Sequence, residues 1–221
     1  MILIGMFDSP FTRRVAISAS LLGIPFEHRS WSVGKDFDRI RVYNPLGRVP
    51  ALVLDDGETL VESAMILDWL DEQVGPQRAL LPASGATRRQ ALNFIALATG
   101  AADKGIHIVI DRVFRPEEKR HAPWTDRCRV QIEGAFAELD RLCAATVDSK
   151  WLLGDAMTQA DITLACYITY LRGAVPMDLA AWPSLRTCVE RCEALPVFQK
   201  FYIPFDAPVP NQVGPNEALP A

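Results

Sequence analysis

The chain has 221 residues, room for two domains, and combines a formal charge of −4 with 49% apolar residues, ample for packed cores. No window gathers the Lys/Arg run of a nucleic-acid footprint and no apolar run reaches membrane-spanning length, so neither nucleic acid nor a membrane is an expected partner. Five cysteines without a Cys-x-x-Cys pair and three scattered histidines exclude a disulfide framework and a metal-ligand spacing, leaving buried free thiols and no metal as the expectation.

Ile2-Leu3-Ile4-Gly5-Met6 is continuously apolar and reads as a buried strand. The segment Ser9-Pro10-Phe11-Thr12-Arg13-Arg14-Val15 then opens a helix, with Pro10 in the first turn, and Gly23 closes it after Leu22. Phe26 to Trp31 alternates as a half-buried strand, and residues 33–47 read as irregular connection with room for one helical turn. Ala51-Leu52-Val53-Leu54 and Thr59-Leu60-Val61 flank the turn signal Asp55-Asp56-Gly57, which predicts a hairpin. Ser63 is the expected cap of a helix whose inner face is Ile66, Leu67 and Leu70.

Strand signals stop after the Pro/Gly/Ala/Ser-rich stretch from Pro76 to Ala86. Residues 87–114 and 123–147 carry helical periodicity, interrupted by Pro116 and Pro123. Thr158 and Asp161 form a capping box, with Met157 placed to staple onto Ile162; the helix that follows presents Ile162, Ala165, Cys166 and Thr169. Pro183 starts a further helix to Ala194 and Pro196 a short last one; from Asp206 four prolines predict a loose tail. The N-terminus shows no basic leader and runs straight into Asp8-Ser9-Pro10, so a soluble cytoplasmic protein is expected.

Strand–helix–strand followed by strand–strand–helix, with Val49-Pro50 before the third strand, resembles the thioredoxin fold. The all-α second half with its 158–161 box resembles the C-terminal domain of the cytosolic glutathione transferases. The resemblance runs from Met1 to about Phe205 and rests most on Asn44-Pro45-Leu46-Gly47-Arg48-Val49-Pro50-Ala51-Leu52 and Glu62-Ser63-Ala64-Met65-Ile66-Leu67. It implies an α/β thioredoxin-like domain over 1–77, a linker over 78–86, a helical domain over 87–205 and a tail over 206–221.

The residues alone favour Ser9 as a helix cap and make Ser63 an N-cap in either case. They leave Pro50 open between a strand-start proline and a peptide-binding bend, and Arg48 between a surface cation and a carboxylate ligand. The resemblance to bacterial serine-type members gives each a ligand role. Ser9 would hydrogen-bond the glutathione sulfur and, with the positive helix end, favour its thiolate; Thr12 is the alternative hydroxyl. A cis Val49-Pro50 bond would offer the Val49 backbone to the cysteinyl part of glutathione, as an added strand does. Arg48 would reach the glycyl carboxylate, Ser63 the γ-glutamyl carboxylate and Glu62 its ammonium. Phe11, His107 and Ile108 are the expected pocket for a small hydrophobic electrophile, in a homodimer paired through the outer face of the helix after Ser63 (Met65, Asp68, Trp69, Glu72). The implied activity is glutathione transfer. Glutathione-dependent isomerisation or peroxide reduction, or a non-catalytic scaffold, are the alternatives. The absence of Cys at position 9 and of a Ser-Ser-Cys cluster disfavours the thiol-reductase and zeta-isomerase types.

Overall fold

The computed structural model describes residues 1–146 and 148–207. Four short strands, β1 (Ile2–Ile4), β2 (Glu27–Arg29), β3 (Ala51–Val53) and β4 (Thr59–Val61), form one sheet in the order β2-β1-β3-β4. β1 runs parallel to β2, while β3 lies antiparallel to both β1 and β4. The apolar run predicts β1 and the hairpin signal predicts β3–β4; both form, although each strand keeps only three residues.

Helix α1 (Pro10–Leu22) starts on Pro10 itself, and Gly23 ends it in the left-handed region at φ 74°. The turn of helix expected within 33–47 is α2 (Phe37–Arg41), and α3 (Ser63–Val74) follows β4. The helical half contains α4 (Gly85–Phe114), α5 (Ala122–Ala144), α6 (Gln159–Ala174), α7 (Pro183–Glu193) and α8 (Pro196–Lys200). The expected loose tail lies, beyond residue 207, outside the described residues, as does the expected last residue of the helix over 123–147.

Helix α6 departs from the single apolar face expected of it. It is buried on nearly every side, because it packs against α4 and α7 and also against α1 of the sheet domain. Ile162, Ala165 and Cys166 therefore share a core with Leu3, Val15 and Ile66, and Met157 packs on the same cluster. The capping box at its start is complete: Asp161 accepts from Leu152 N–H and Thr158 N–H at 2.9 Å each and from the Thr158 hydroxyl at 2.9 Å. All five cysteines are buried and unbridged.

The two domains are pinned together by a buried cation. Arg13 forms a forked ion pair with Glu193 of α7 at 2.6 and 2.7 Å, and Thr169 donates to the same carboxylate at 2.6 Å. Arg13 also donates to the Phe198 and Phe201 carbonyls, which ties the segment after α8 against α1. Among the described residues no helix is long and apolar enough to cross a membrane.

Candidate active site

The loop between β1 and α1, the turn before β3, and helix α4 surround one cleft of about 420 Å³. Ser9 stands on its wall as the N-cap of α1. Among the described residues its oxygen accepts only a long 3.5 Å contact from Thr12 N–H and its hydroxyl donates to none, so the proton is available to a ligand atom at the positive helix end. Thr12 is placed differently. Its side chain is fully buried, and its hydroxyl has no hydrogen-bond partner among the described residues. It abuts Gly5, where a Cβ would land on Thr12 Oγ1 and on Val49 Cβ. Of the two candidate hydroxyls, Ser9 is the one that faces the cleft.

Val49-Pro50 is cis, and Arg48 and Val49 line the cleft beside Gly47. Gly47 has φ 63°, and a Cβ there would collide with the Phe37 ring, so only glycine allows α2 to close against this turn. Arg48 is exposed.

At the start of α3 the two expected side chains exchange their local jobs. Glu62, at φ 73°, is the N-cap and accepts from Ser63 N–H at 2.9 Å and Ala64 N–H at 3.1 Å. Ser63 is fully buried and does not cap. Its oxygen receives Arg14 Nη2 at 2.7 Å and Nε at 3.2 Å, while its hydroxyl donates to Glu62 at 3.1 Å. Arg14 is only 3% exposed. Its remaining partners are neutral: the Thr163 hydroxyl at 3.4 Å and the face of Tyr167 at 5.2 Å. A buried guanidinium is normally matched by a carboxylate. This one reaches Glu62 only through the Ser63 hydroxyl, which leaves the start of α3 electrically suited to an incoming anion.

The far wall of the cleft corrects the sequence reading. Phe11 lines it, edge-on to Tyr167 at 4.9 Å. His107 does not: it packs against Trp124, with ring centroids 5.6 Å apart. Ile108 does not either, being buried in the helical core. The residues of α4 that face the cleft are Ile106, Val109, Ile110 and Phe114. One residue along a helix turns a side chain by about 100°, so His107 and Ile108 point to other sides. The i, i+4, i+8 row 106-110-114 carried the signal, but its facing could not be chosen without knowing how α4 docks. Tyr170 and Phe205 complete the apolar wall, and Asp8 and Asp206 stand at its edge.

Sequence reasoning also missed Arg14 and Asp8. The tandem Arg13-Arg14 next to Val15, Ala16 and Ile17 was a usable sign, since two cations in an apolar stretch need buried partners. Asp103 of α4 lies within range of the charges of Arg48 and Glu62. Loss of water raises its carboxyl pKa, and the Arg48 charge partly offsets that. No group of three or more His, Cys, Asp or Glu side chains able to hold a metal occurs among the described residues.

This arrangement matches two profiles: "Glutathione S-transferase, N-terminal domain" over residues 3–78 and "Glutathione S-transferase, C-terminal domain" over residues 122–191. The chain is 30% identical over 212 residues to a maleylpyruvate isomerase of a Ralstonia species, covering 90% of this chain and 95% of that protein. The chain belongs to the glutathione S-transferase family. A solved glutathione S-transferase of Methylobacterium radiotolerans, in complex with glutathione sulfonate, superposes with a TM-score of 0.82 at 31% identity, covering 99% of both chains. A glutathione transferase family member of Pseudomonas fluorescens with bound glutathione gives 0.79 at 29% identity, covering 92% of this chain and 99% of the other. In this family member the sheet domain brings Asp8, Ser9, Ser32 and Arg48 to the cleft among apolar side chains, and α4 brings apolar side chains alone.

Proposed function

We propose that this protein is a serine-type, glutathione-dependent transferase acting on small electrophiles. The observation that carries the reading is the Ser9 hydroxyl, unengaged by its proton at the head of α1, in the same cleft as Arg48 and Val49. The start of α3 suits the zwitterionic end of the tripeptide. The Arg14–Ser63 pair attracts the γ-glutamyl carboxylate, which competes with Glu62 for the Ser63 and Ala64 N–H groups, and the displaced Glu62 suits the ammonium. The Val49 backbone sets the register and Arg48 takes the glycyl carboxylate. Glutathione supplies the thiol. Ser9 donates its hydroxyl proton to the sulfur and the end of α1 stabilises the thiolate, whose own proton leaves to solvent. Phe11 and the apolar row on α4 hold the electrophile against it, excluding water.

A free thiol is only a few per cent ionised at neutral pH with a pKa of roughly 8.5. Lowering that value by about two units needs roughly 2.7 kcal/mol, within reach of one hydroxyl donor and a helix end. The test is retention on immobilised glutathione followed by thiolate absorbance against pH. The expected result is a bound thiol titrating well below free glutathione. An unshifted thiol in a retained protein overturns the role of Ser9.

The names of the isomerase relatives support a second reading, glutathione-dependent isomerisation of a maleyl diacid on the same thiolate. Turnover of maleylpyruvate without net loss of glutathione would decide for it. Further parts of the proposal are a cytoplasmic location, a detoxifying role, and domains bounded at 1–77, 78–86 and 87–205. The proposal also includes a homodimer through the outer face of α3. Met65 is exposed there, whereas Trp69 is half-buried against its own core, so Met65, Asp68 and Glu72 would carry most of that contact.

A further inference from the structure

We infer that the electrophile half of the cleft selects neutral or cationic aromatic compounds and rejects those bearing a carboxylate. The inference rests on the transferase reading above and adds to it the charge class of the second substrate. The wall is aromatic and aliphatic, with Phe11, Phe114, Tyr170 and Phe205 supplying ring faces and edges. Among the described residues two carboxylates line the cleft with this wall: Asp8, half-buried in the loop before Ser9, and Asp206, directly after Phe205. They are close enough that the Asp206 charge opposes ionisation of Asp8. Burial is the larger cause raising the Asp8 carboxyl, and the backbone N–H groups of Asp206 and Ser9 hold it back.

The nearby cations do not cancel this pair. Arg13 is committed to Glu193 at 2.6 and 2.7 Å. Arg112 donates to the Ala174 carbonyl at 2.9 Å, although its charge is felt at the Tyr170 hydroxyl. Arg172 is exposed and lines a neighbouring cavity that Asp8 also borders, but it does not line the cleft itself. Arg48, the one cation among the described residues that line the cleft, sits beside Gly47 and Val49 on the side proposed for glutathione. A carboxylate electrophile would therefore enter next to Asp8, Asp206 and a developing thiolate in a site of reduced dielectric, where like charges cost most. A quaternary ammonium would instead meet two carboxylates and several aromatic faces. The charge pattern thus argues against the diacid isomerisation suggested by the relatives' names.

The experiment compares three benzylic chlorides of one size carrying a para nitro, carboxylate or trimethylammonium group. In each, the glutathione sulfur forms the new C–S bond while the C–Cl bond breaks and chloride departs with the electron pair. At neutral pH and low salt the carboxylate probe is expected to show kcat/KM at least about tenfold below the ammonium probe, since like and unlike charges in such a site differ by more than about 1.4 kcal/mol. Asp8→Asn and Asp206→Asn should each narrow that ratio several-fold, and Asp8→Lys should reverse it. Should those variants fail to fold, raising salt from low to high on the unaltered protein should narrow the same ratio. Equal turnover of all three probes, or a ratio unmoved by every variant and by salt, overturns the inference alone. No glutathione-dependent turnover of any probe overturns the transferase reading and this inference with it.

Discussion

Helices α3 and α6 begin with the same kind of hardware, a hydroxyl residue and a carboxylate around the first turn, yet they put it to opposite use. At α6, Asp161 receives three donors and Thr158 caps Ala160 N–H at 3.3 Å, so every charge and donor is answered from within the fold. At α3, Ser63 is pressed between Arg14 and Glu62, and among the described residues the buried Arg14 touches no carboxylate directly. A closed network is worth stability; one left short of an anion is worth affinity. The distinction lies in what stands behind each cap, since the residues of the two caps are nearly alike.

Four variants break or sharpen that comparison. The largest effect should come from Asp161→Ala, which strands three buried donors and removes a cap. A loss of about 3 kcal/mol is expected from those terms together, read by chemical denaturation, with glutathione retention intact in the cold. Lost retention with unchanged stability would show that the α6 start also serves the ligand. Next is Ser9→Ala, at the cap that lines the cleft. It should raise the thiol pKa toward its free value and cut kcat/KM by up to about a hundredfold at neutral pH, the equivalent of two pKa units. Glutathione affinity should change only several-fold.

Glu62→Ala with Ser63→Ala should raise the KM for glutathione by roughly ten- to a hundredfold, the cost of a lost charged hydrogen bond, and change kcat less. Normal affinity in that double variant would reduce the α3 start to a cap. The smallest effect, and the sharpest in sign, is expected of Arg14→Met. Removing a buried charge that no carboxylate pairs directly among the described residues should leave the ligand-free protein as stable or more so, while glutathione binding weakens by about tenfold. Melting curves with and without glutathione read both at once. A drop in ligand-free stability with an unchanged glutathione shift would place Arg14 in the structural class of Asp161.

Much of the fold was legible because its signals are local. Gly23 as a helix stop, the Asp55-Asp56-Gly57 turn and the 158–161 box each depend on a few neighbouring residues, and all form as read. The Ser9 wall and the cis Val49-Pro50 turn were legible in the same way, helped by family resemblance. The misreadings share one cause. Ser63 has the best cap chemistry at its position, but Arg14, forty-nine residues earlier, claims its oxygen and leaves the cap to Glu62. His107 and Ile108 sit at the right height on α4 but on the wrong sides of it.

The amino-acid sequence by itself determined the element order, the helix ends and the hydroxyl at the head of α1, because backbone hydrogen bonding and turn sterics act over a few residues. The tertiary structure alone decided which row of α4 faces the cleft, which cation lies beneath Ser63, and that Asp8 and Asp206 share one rim. Those outcomes depend on how helices dock and on where charge is buried, and both are properties of distant residues brought into contact.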